Sequence, residues 1–409
     1  MTLHLGFPGT VASLWQQAGR SGRRNKESLS VYVAFDGPLD QMFMSNPSSL
    51  FDRNIEAAHI DLSNKSVLKS HLMCAAFECP LKSSSDISLF GGEDIALEPI
   101  KSLVHSRTLS PAGNGHAGML VYSGAASYPA KQITLRDIDK EKYVVIEEGA
   151  NGAVLEEIEA CKVSFVVYDG AIYQHQGRTY IVKSIDYRSK VATVRQTDVK
   201  YFTTTIDYTD VHLLGDKLMC TTDNHARGTS RATCNECTVT TRWMGYARIW
   251  RGSGKVFDSV DLFVPDVVYD TVACSQRLPR VARAFVQEKG IEFRDSVHAA
   301  AHAIMNIVPL FLMCNPEDIG TECDNQYDTR YKPERLLIFD KYPGGNGISS
   351  KIQPIFDQLI KEALKLVTSC QCEDGCTGCI LSTVCSEYNA CLSKQGAQII
   401  LQNALHSTE

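Results

Sequence analysis

Cys370-Gln371-Cys372-Glu373-Asp374-Gly375-Cys376-Thr377-Gly378-Cys379 places four cysteines within ten residues of a 409-residue chain. The C-x-x-C half lets two sulfurs leave one tight turn toward a common centre, and the C-x-C half can do so from an extended or bulged segment. Gly375 and Gly378 relieve the backbone where it must turn sharply. Zinc takes four thiolates in a tetrahedron at about 2.3 Å. No histidine lies within the cluster to leave a catalytic position open, so the stretch predicts a closed, structural zinc site. An iron–sulfur cluster uses the same ligand type, and free or redox thiols are the plainest alternative. Cys385 and Cys391 are spare, and Cys385 could stand in for one of the four.

Six of the 15 cysteines lie between Cys370 and Cys391, and the other nine are scattered as buried structural thiols are. Cys234-Asn-Glu-Cys237 forms a second pair, with Cys220 and His225 nearest; structural thiols are the plainer reading, a second metal the sharper one. Around the cluster the chain reads as α/β over residues 276–409. A long apolar helix is expected over Phe293–Met313, a buried strand at Arg335–Phe339, and an amphipathic helix over Ser350–Thr368. A last helix runs from Ser393 to about Leu405. The zinc site would pin the end of the Ser350–Thr368 helix to this final one, and its assembly would couple to folding.

Working toward the amino end, residues 126–275 read as a β-rich, barrel-like or sandwich-like module. Its short runs are Ile133–Arg136, Tyr143–Glu147, Ser164–Tyr168, Thr179–Ser184, Val191–Gln196 and Thr238–Trp243. Asp216–Ala232 is polar and reads as a loop. Residues 61–125 are helix-rich and winged-helix-like. A helix over Asn64–Phe77 is capped by Ser63 or Asn64, Ile95 to Leu103 is helically spaced, Pro111–Gly115 forms a turn, and Met119–Tyr122 a strand. Residues 1–60 open with strand Leu3–Phe7, a helix capped by Thr10, and strand Ser28–Phe35. This unit is too short to bury a sheet on both faces and reads as the tail of an α/β domain.

Composition is that of a globular protein, 44% hydrophobic and 22% charged, with length enough for roughly two to four domains. No run of about 18 apolar residues appears, so no membrane span is expected. The first residues lack a secretory pattern, and an intracellular protein is expected. The net charge of −6 means that nucleic-acid binding would have to use local patches. The one short basic run, Arg20, Arg23, Arg24 and Lys26, could equally be a solvated surface segment.

That run belongs to Gln16-Gln-Ala-Gly19-Arg20-Ser-Gly22-Arg23-Arg24. Two glycines allow close approach of the backbone to a ligand. Two arginines three apart share a face, and guanidinium suits triphosphate oxygens. Gln-x-x-Gly-Arg-x-Gly-Arg resembles motif VI of superfamily 2 helicases, in the second RecA-like lobe. The longer string Gly6–Arg24 resembles the MrfA/Hrq-type DNA helicases. So do His302, Pro309-Leu310, Asp318-Ile-Gly320, Asp340-x-Tyr-Pro-Gly-Gly-x-Gly347 and the cysteine cluster, which look like that family's zinc-binding domain, and the segment Tyr168–Tyr180.

The resemblance implies the C-terminal part of an ATP-dependent, 3′–5′ DNA helicase of DNA repair, nuclear in a eukaryote, that contacts single-stranded DNA. It implies that Arg20 and Arg23 face the ATP γ-phosphate, that Gln16 and Gly19 belong to the same nucleotide-facing turn, and that Cys370, Cys372, Cys376 and Cys379 hold zinc. His298, His302 and Asp340 read as buried, hydrogen-bonded residues, with a nuclease-like or ligand role as the alternative. The sequence has no G-x-x-x-x-G-K-[ST] and no Asp-Glu-x-His, the residues that hold phosphates and Mg²⁺. ATP and Mg²⁺ binding is therefore expected only together with an upstream lobe, and the chain alone is expected to be inactive as an ATPase. The alternative is a stand-alone zinc-containing module that binds nucleic acid or a protein.

Overall fold

The computed structural model describes residues 1–22, 26–52, 54–56, 61, 64–82, 85–112, 118–133, 141–149, 154–218, 231–322, 334–382, 384, 385, 389 and 391–406. The chain opens with strand β1 (Thr2–Leu5), helix α1 (Val11–Ala18) and strand β2 (Ser30–Val33), the two strands parallel and in register from Thr2↔Ser30 to Leu5↔Val33. Thr10 Oγ1 accepts the Ser13 amide at 3.0 Å, as expected of a cap. The Glu56 carboxylate takes the Val11 and Ala12 amides at 2.7 and 3.2 Å, so the first turn of α1 meets a negative charge. Helix α2 (Pro38–Ser45) brings the buried Asp40 under both strand ends, where Oδ1 accepts from Phe7 N, Phe35 N and Tyr32 Oη at 3.1, 3.0 and 2.6 Å. Helix α3 (Ser48–Phe51) follows.

Helices α4 (Lys65–Glu78) and α5 (Glu93–His105) pack on a small antiparallel sheet ordered β3-β5-β4, made of β3 (Leu81–Lys82), β4 (Leu109–Pro111) and β5 (Met119–Tyr122). Leu72, Ala76, Ala96, Ile100, Leu103 and Leu109 form its core. Asn64 is the cap of α4, accepting the Val67 amide at 3.0 Å. Ser63, most of the turn expected at Pro111–Gly115, and all but the first residue of the strand expected at Ile133–Arg136 lie outside the described residues.

The β-rich region contains two sheets. The first is ordered β7-β6-β10-β9-β8, from β6 (Lys142–Glu147), β7 (Val154–Glu159), β8 (Ile172–His175), β9 (Arg178–Asp186) and β10 (Val191–Gln196); only β6 and β10 run parallel. The strand expected at Ser164–Tyr168 is instead mostly helix α6 (Ala160–Val166). Val163 and Val167 are buried four residues apart, a helical spacing that a short apolar run disguises. The second sheet is built on two 18-residue strands, β11 (Tyr201–Leu218) and β12 (Thr233–Trp250), and continues through β14 (Val267–Arg277), β16 (Arg335–Asp340) and β15 (Ile319–Gly320), with β13 (Val256–Asp261) beside β12. A boundary at 275/276 falls inside β14, and the sheet runs on through it to β16. Strand β12 serves two cores: Trp243 and Tyr246 face the five-stranded sheet, Cys237 and Val239 meet Leu337 and Phe339. The register with β11 shifts at Trp243/Gly245, between the two residues that face the five-stranded sheet, and a Cβ on Gly245 would lie 2.5 Å from Val260 O. Of the loop expected at Asp216–Ala232, residues 219–230 lie outside the described residues.

Helices α7 (Arg280–Glu288), α8 (Phe293–Ile307), α9 (Ile348–Ile352), α10 (Phe356–Ser369) and α11 (Lys394–His406) complete the fold. Two helices are shorter than the pattern predicts. The first stops at Ile307 and turns through Val308–Leu310, because Pro309 has no amide to continue the ladder. The second is broken at Gln353–Ile355 around Pro354 into α9 and α10. Helix α8 is buried on nearly all sides and packs on α10, α11 and β16. Val11, Leu14, Phe43 and Leu50 from the first 60 residues enter the same core. No helix among the described residues is long and apolar enough to cross a membrane.

Strand β16 ends at Asp340, whose side chain organises the Asp340–Gly347 loop. It accepts from Asn346 N, Gly347 N, Ser349 N and Ser349 Oγ at 2.7–3.0 Å. Burial pushes its pKa up, and these four donors pull the other way. Asn64 donates to Gly345 O, so the loop also holds the start of α4. Asp340→Ala would strand several buried donors. We expect a loss on the order of 3 kcal/mol in urea unfolding; an unchanged midpoint would refute the role.

Candidate functional site

The four cysteines converge from three short pieces of backbone. Cys370 caps α10, its amide bonded to Leu366 O, and Cys372 follows in extended chain. Cys376 and Cys379 share a turn in which the Cys379 and Leu381 amides both bond Cys376 O at 3.0 and 3.1 Å. Gly375 takes φ 118°, and a Cβ there would collide with Ile380 at 2.5 Å, so the turn needs glycine. The Sγ atoms stand 3.4 Å (370–372), 3.5 Å (370–376), 3.5 Å (372–379) and 3.8 Å (376–379) apart. A tetrahedron of sulfurs 2.3 Å from a centre has edges of about 3.8 Å. The donor set therefore fits a zinc-sized ion in spacing and chemistry.

The charges agree with that fit. Burial raises Cys372, but hydrogen bonds from Cys370, Cys379 and Lys394 bring it down to about 7. Burial pushes Cys376 and Cys379 up. One negative charge is thus accommodated at Cys372 and further ones are resisted; a divalent cation would let all four sulfurs ionise. Cys385 does not join them; its Sγ lies beside His298 Nε2 at 3.7 Å.

Three residues support the centre; Lys394 and Asn306 escape a motif-based reading, whereas the sequence already marks His302 as a buried, hydrogen-bonded residue. Lys394 is buried and donates to Cys370 O at 2.8 Å and to Cys372 O. Burial works against its charge, yet the neighbouring sulfurs outweigh it and its pKa is raised. A lysine at a helix start opposes the helix dipole, which is the sequence signal that Lys394 serves something else. Asn306 Nδ2 holds Cys379 O and Leu381 O at 3.1 and 2.9 Å, and His302 Nδ1 lies 3.0 Å from Ile380 O. Burial keeps His302 and His298 down at about 4 and about 3, so both imidazoles are neutral near pH 7.

The pair Cys234 and Cys237 stands on β12, where residues three apart point to opposite faces. Cys234 Sγ lies 3.7 Å from Ser350 Oγ, whereas Cys237 sits in the Val239–Phe339 core with its pKa pushed up to about 12 by burial. They cannot share a metal; Cys220 and His225 lie outside the described residues.

At the other end, α1 closes at Gly19, whose amide bonds Trp15 O, and the turn carries on through Arg20 N to Gln17 O. Gln16, Gly19 and Arg20 are exposed. Gly22 takes φ 70°, and a Cβ there would sit 2.6 Å from Ser28 Oγ. Arg23 lies outside the described residues. For the cysteine centre, Lys394→Met removes two charge-assisted contacts and should lower unfolding free energy by about 2 kcal/mol. Urea titration checks this, and an unaltered curve would leave Lys394 without a part in the centre.

Comparison with known proteins matches residues 300–380 to the MrfA Zn-binding domain and residues 60–138 to the winged helix domain of ATP-dependent helicase HRQ1. The chain is 30% identical to ATP-dependent helicase HRQ1 of Saccharomyces cerevisiae over its whole length, and 30% identical to the Schizosaccharomyces pombe hrq1 over 98% of it. It is 30% identical to the ATP-dependent helicase YprA of Bacillus subtilis over 92%. The chain spans 38% of each yeast relative and 48% of the bacterial one. A crystal structure of DUF1998 helicase MrfA bound to DNA aligns with 98% of the chain and 52% of its own, at 25% identity and TM-score 0.57. A second crystal structure of DUF1998 helicase MrfA aligns at 25% identity with TM-score 0.61, over 98% of this chain and 53% of its own. With one module matched to the MrfA Zn-binding domain and another to the HRQ1 winged helix domain, the chain is homologous to the C-terminal parts of the ATP-dependent helicases HRQ1, YprA and MrfA.

Proposed function

We propose that this chain is the C-terminal working part of an ATP-dependent 3′–5′ DNA helicase of DNA repair, nuclear in a eukaryotic cell. The observation that carries this reading is the similarity to ATP-dependent helicase HRQ1 over 100% of the chain. Arg20 and Arg23 serve the γ-phosphate of an ATP cradled by a partner lobe, with Gln16 and Gly19 shaping the turn. The two-stranded β1-β2 sheet supports the need for that lobe. Leu3, Leu5, Val33 and Phe35 are exposed, and among the described residues β1 and β2 pair only with each other. Isolated parallel pairs of this kind are normally covered on both faces. Zinc held by Cys370, Cys372, Cys376 and Cys379 is structural, since the protein fills all four positions.

Single-stranded DNA is the proposed partner, in keeping with MrfA crystallised on DNA. At the end of the long hairpin, Trp250 and Phe257 stack at 4.2 Å and Tyr201 meets Phe257 edge-on. Trp250 and Phe257 are half-exposed, and the exposed Lys200, Arg251 and Lys255 surround them. Aromatic faces ringed by cations suit bases and phosphates of a single strand.

Three measurements test the reading. In the complete helicase, Arg20→Ala should lower kcat for ATP roughly 10³-fold with DNA binding unchanged; the chain alone should show no DNA-stimulated ATPase. Strong turnover by the isolated chain would refute the partner-lobe account. The chain's affinity for single-stranded DNA should fall with salt, and Trp250→Ala should weaken it about tenfold. An affinity flat across salt would point to a protein partner instead.

A further inference from the structure

We propose a second metal site, distinct from the four-cysteine centre: His298 and His302 of α8, with Cys385 from the following loop, form a three-ligand site for a zinc-class divalent cation. His298 and His302 are four residues apart on one helix face, with ring centroids 4.3 Å apart at 65°. Cys385 Sγ lies 3.7 Å from His298 Nε2, and one donor atom from each of the three residues lies within 4.8 Å of the others. Zinc with two imidazoles and a thiolate has donor-to-donor edges of about 3.3–3.6 Å, so a contraction of at most about 1.5 Å closes the set.

The second observation is the orientation of His302. Its Nδ1 faces Ile380 O at 3.0 Å, and a carbonyl only accepts, so Nδ1 carries the proton and Nε2 the lone pair. Metal-ligating histidines are commonly fixed in this way, one nitrogen donating to a backbone carbonyl and the other on the ion. The donor chemistry, two imidazoles and one thiolate, suits zinc and excludes hard cations such as Mg²⁺ or Ca²⁺. The charged groups nearby are Arg294, which lies close to His298, and Asp295, whose carboxylate stands 3.7 Å from the Arg294 guanidinium. A Cys385 thiolate supplies the negative charge at the ion. His298 also lines a pocket with Arg283, Glu292, Glu322, Glu334 and Arg335. The site is built from side chains of α8 and a separate loop, and His302 links it to the four-cysteine centre through the backbone of the Ile380 turn.

Elemental analysis of the purified full chain tests this. Wild type should carry two zinc ions per chain, and Cys385→Ser and His298→Ala should each carry one. In the cobalt-substituted protein, Cys385→Ser should remove about a fifth of the thiolate-to-cobalt charge-transfer intensity, one thiolate of five. Far-UV circular dichroism identifies a variant that fails to fold; His298→Ala, which keeps the thiol, then decides. One zinc in wild type, or two that survive both substitutions, overturns the proposal.

Discussion

Gly396 on α11 lies so close to Ser296 on α8 that a Cβ there would stand 2.0 Å from Ser296 Oγ. The rest of the structure depends on that approach. It brings α11 down onto the face of α8 that Ser296 shares with Ala299, Ala300 and Ala303, which leave no bulk to hold the helices apart. With α11 seated there, Lys394 at its first residue reaches the carbonyls of Cys370 and Cys372. From the other side, α8 offers His298, His302 and Asn306 at four-residue steps to the segment that follows the cysteines. The cysteine centre is therefore positioned by two helices far from it in sequence, in addition to its own tight turns.

The same helix explains why the first 60 residues behave as part of this body. The underside of the βαβ unit contributes Val11, Leu14, Phe43 and Leu50 to the core that α8 organises. Phe7 and Phe43 pack at 4.9 Å, and Asp40 ties both strand ends to the helix beneath. One face of the unit is thus buried against the zinc-binding region while the opposite face of its sheet leaves Leu3, Leu5 and Val33 in solvent. The arginine turn sits on an element that one core already fixes.

What the sequence discloses follows the range of the forces involved. The caps at Thr10 and Asn64, the buried strand before Asp340 and the four-cysteine spacing are local, and each is legible in a few residues. Local reading fails where distant partners decide. Of the two 18-residue strands, β12 reads in the sequence only as the short run Thr238–Trp243, because its side chains serve two cores, and β11 is not read as a strand at all. Val163 and Val167 form a helix face only because the five-stranded sheet receives them. Pro309 and Pro354 were strong local signals, yet long apolar periodicity conceals the breaks they impose. The Cys234/Cys237 pair shows the reverse error of motif reading: the spacing is that of ligands, but a strand sends the two thiols to opposite faces.

A charge argument joins these pieces. Helix α8 sets His298, His302 and Asn306 along one stripe of a largely apolar surface, a costly arrangement unless polar groups there are given partners. Asn306 spends its amide on Cys379 O and Leu381 O, and His302 spends Nδ1 on Ile380 O. Those carbonyls belong to the turn that the cysteine spacing and Gly375 force into being, and the turn would otherwise carry unpaired backbone oxygens into the core. The cysteine cluster and the polar stripe of α8 therefore require each other: the turn satisfies the helix, and the helix satisfies the turn. A metal-binding motif that reads as ten self-contained residues is in this fold one half of a hydrogen-bonded pair whose other half lies some 75 residues earlier.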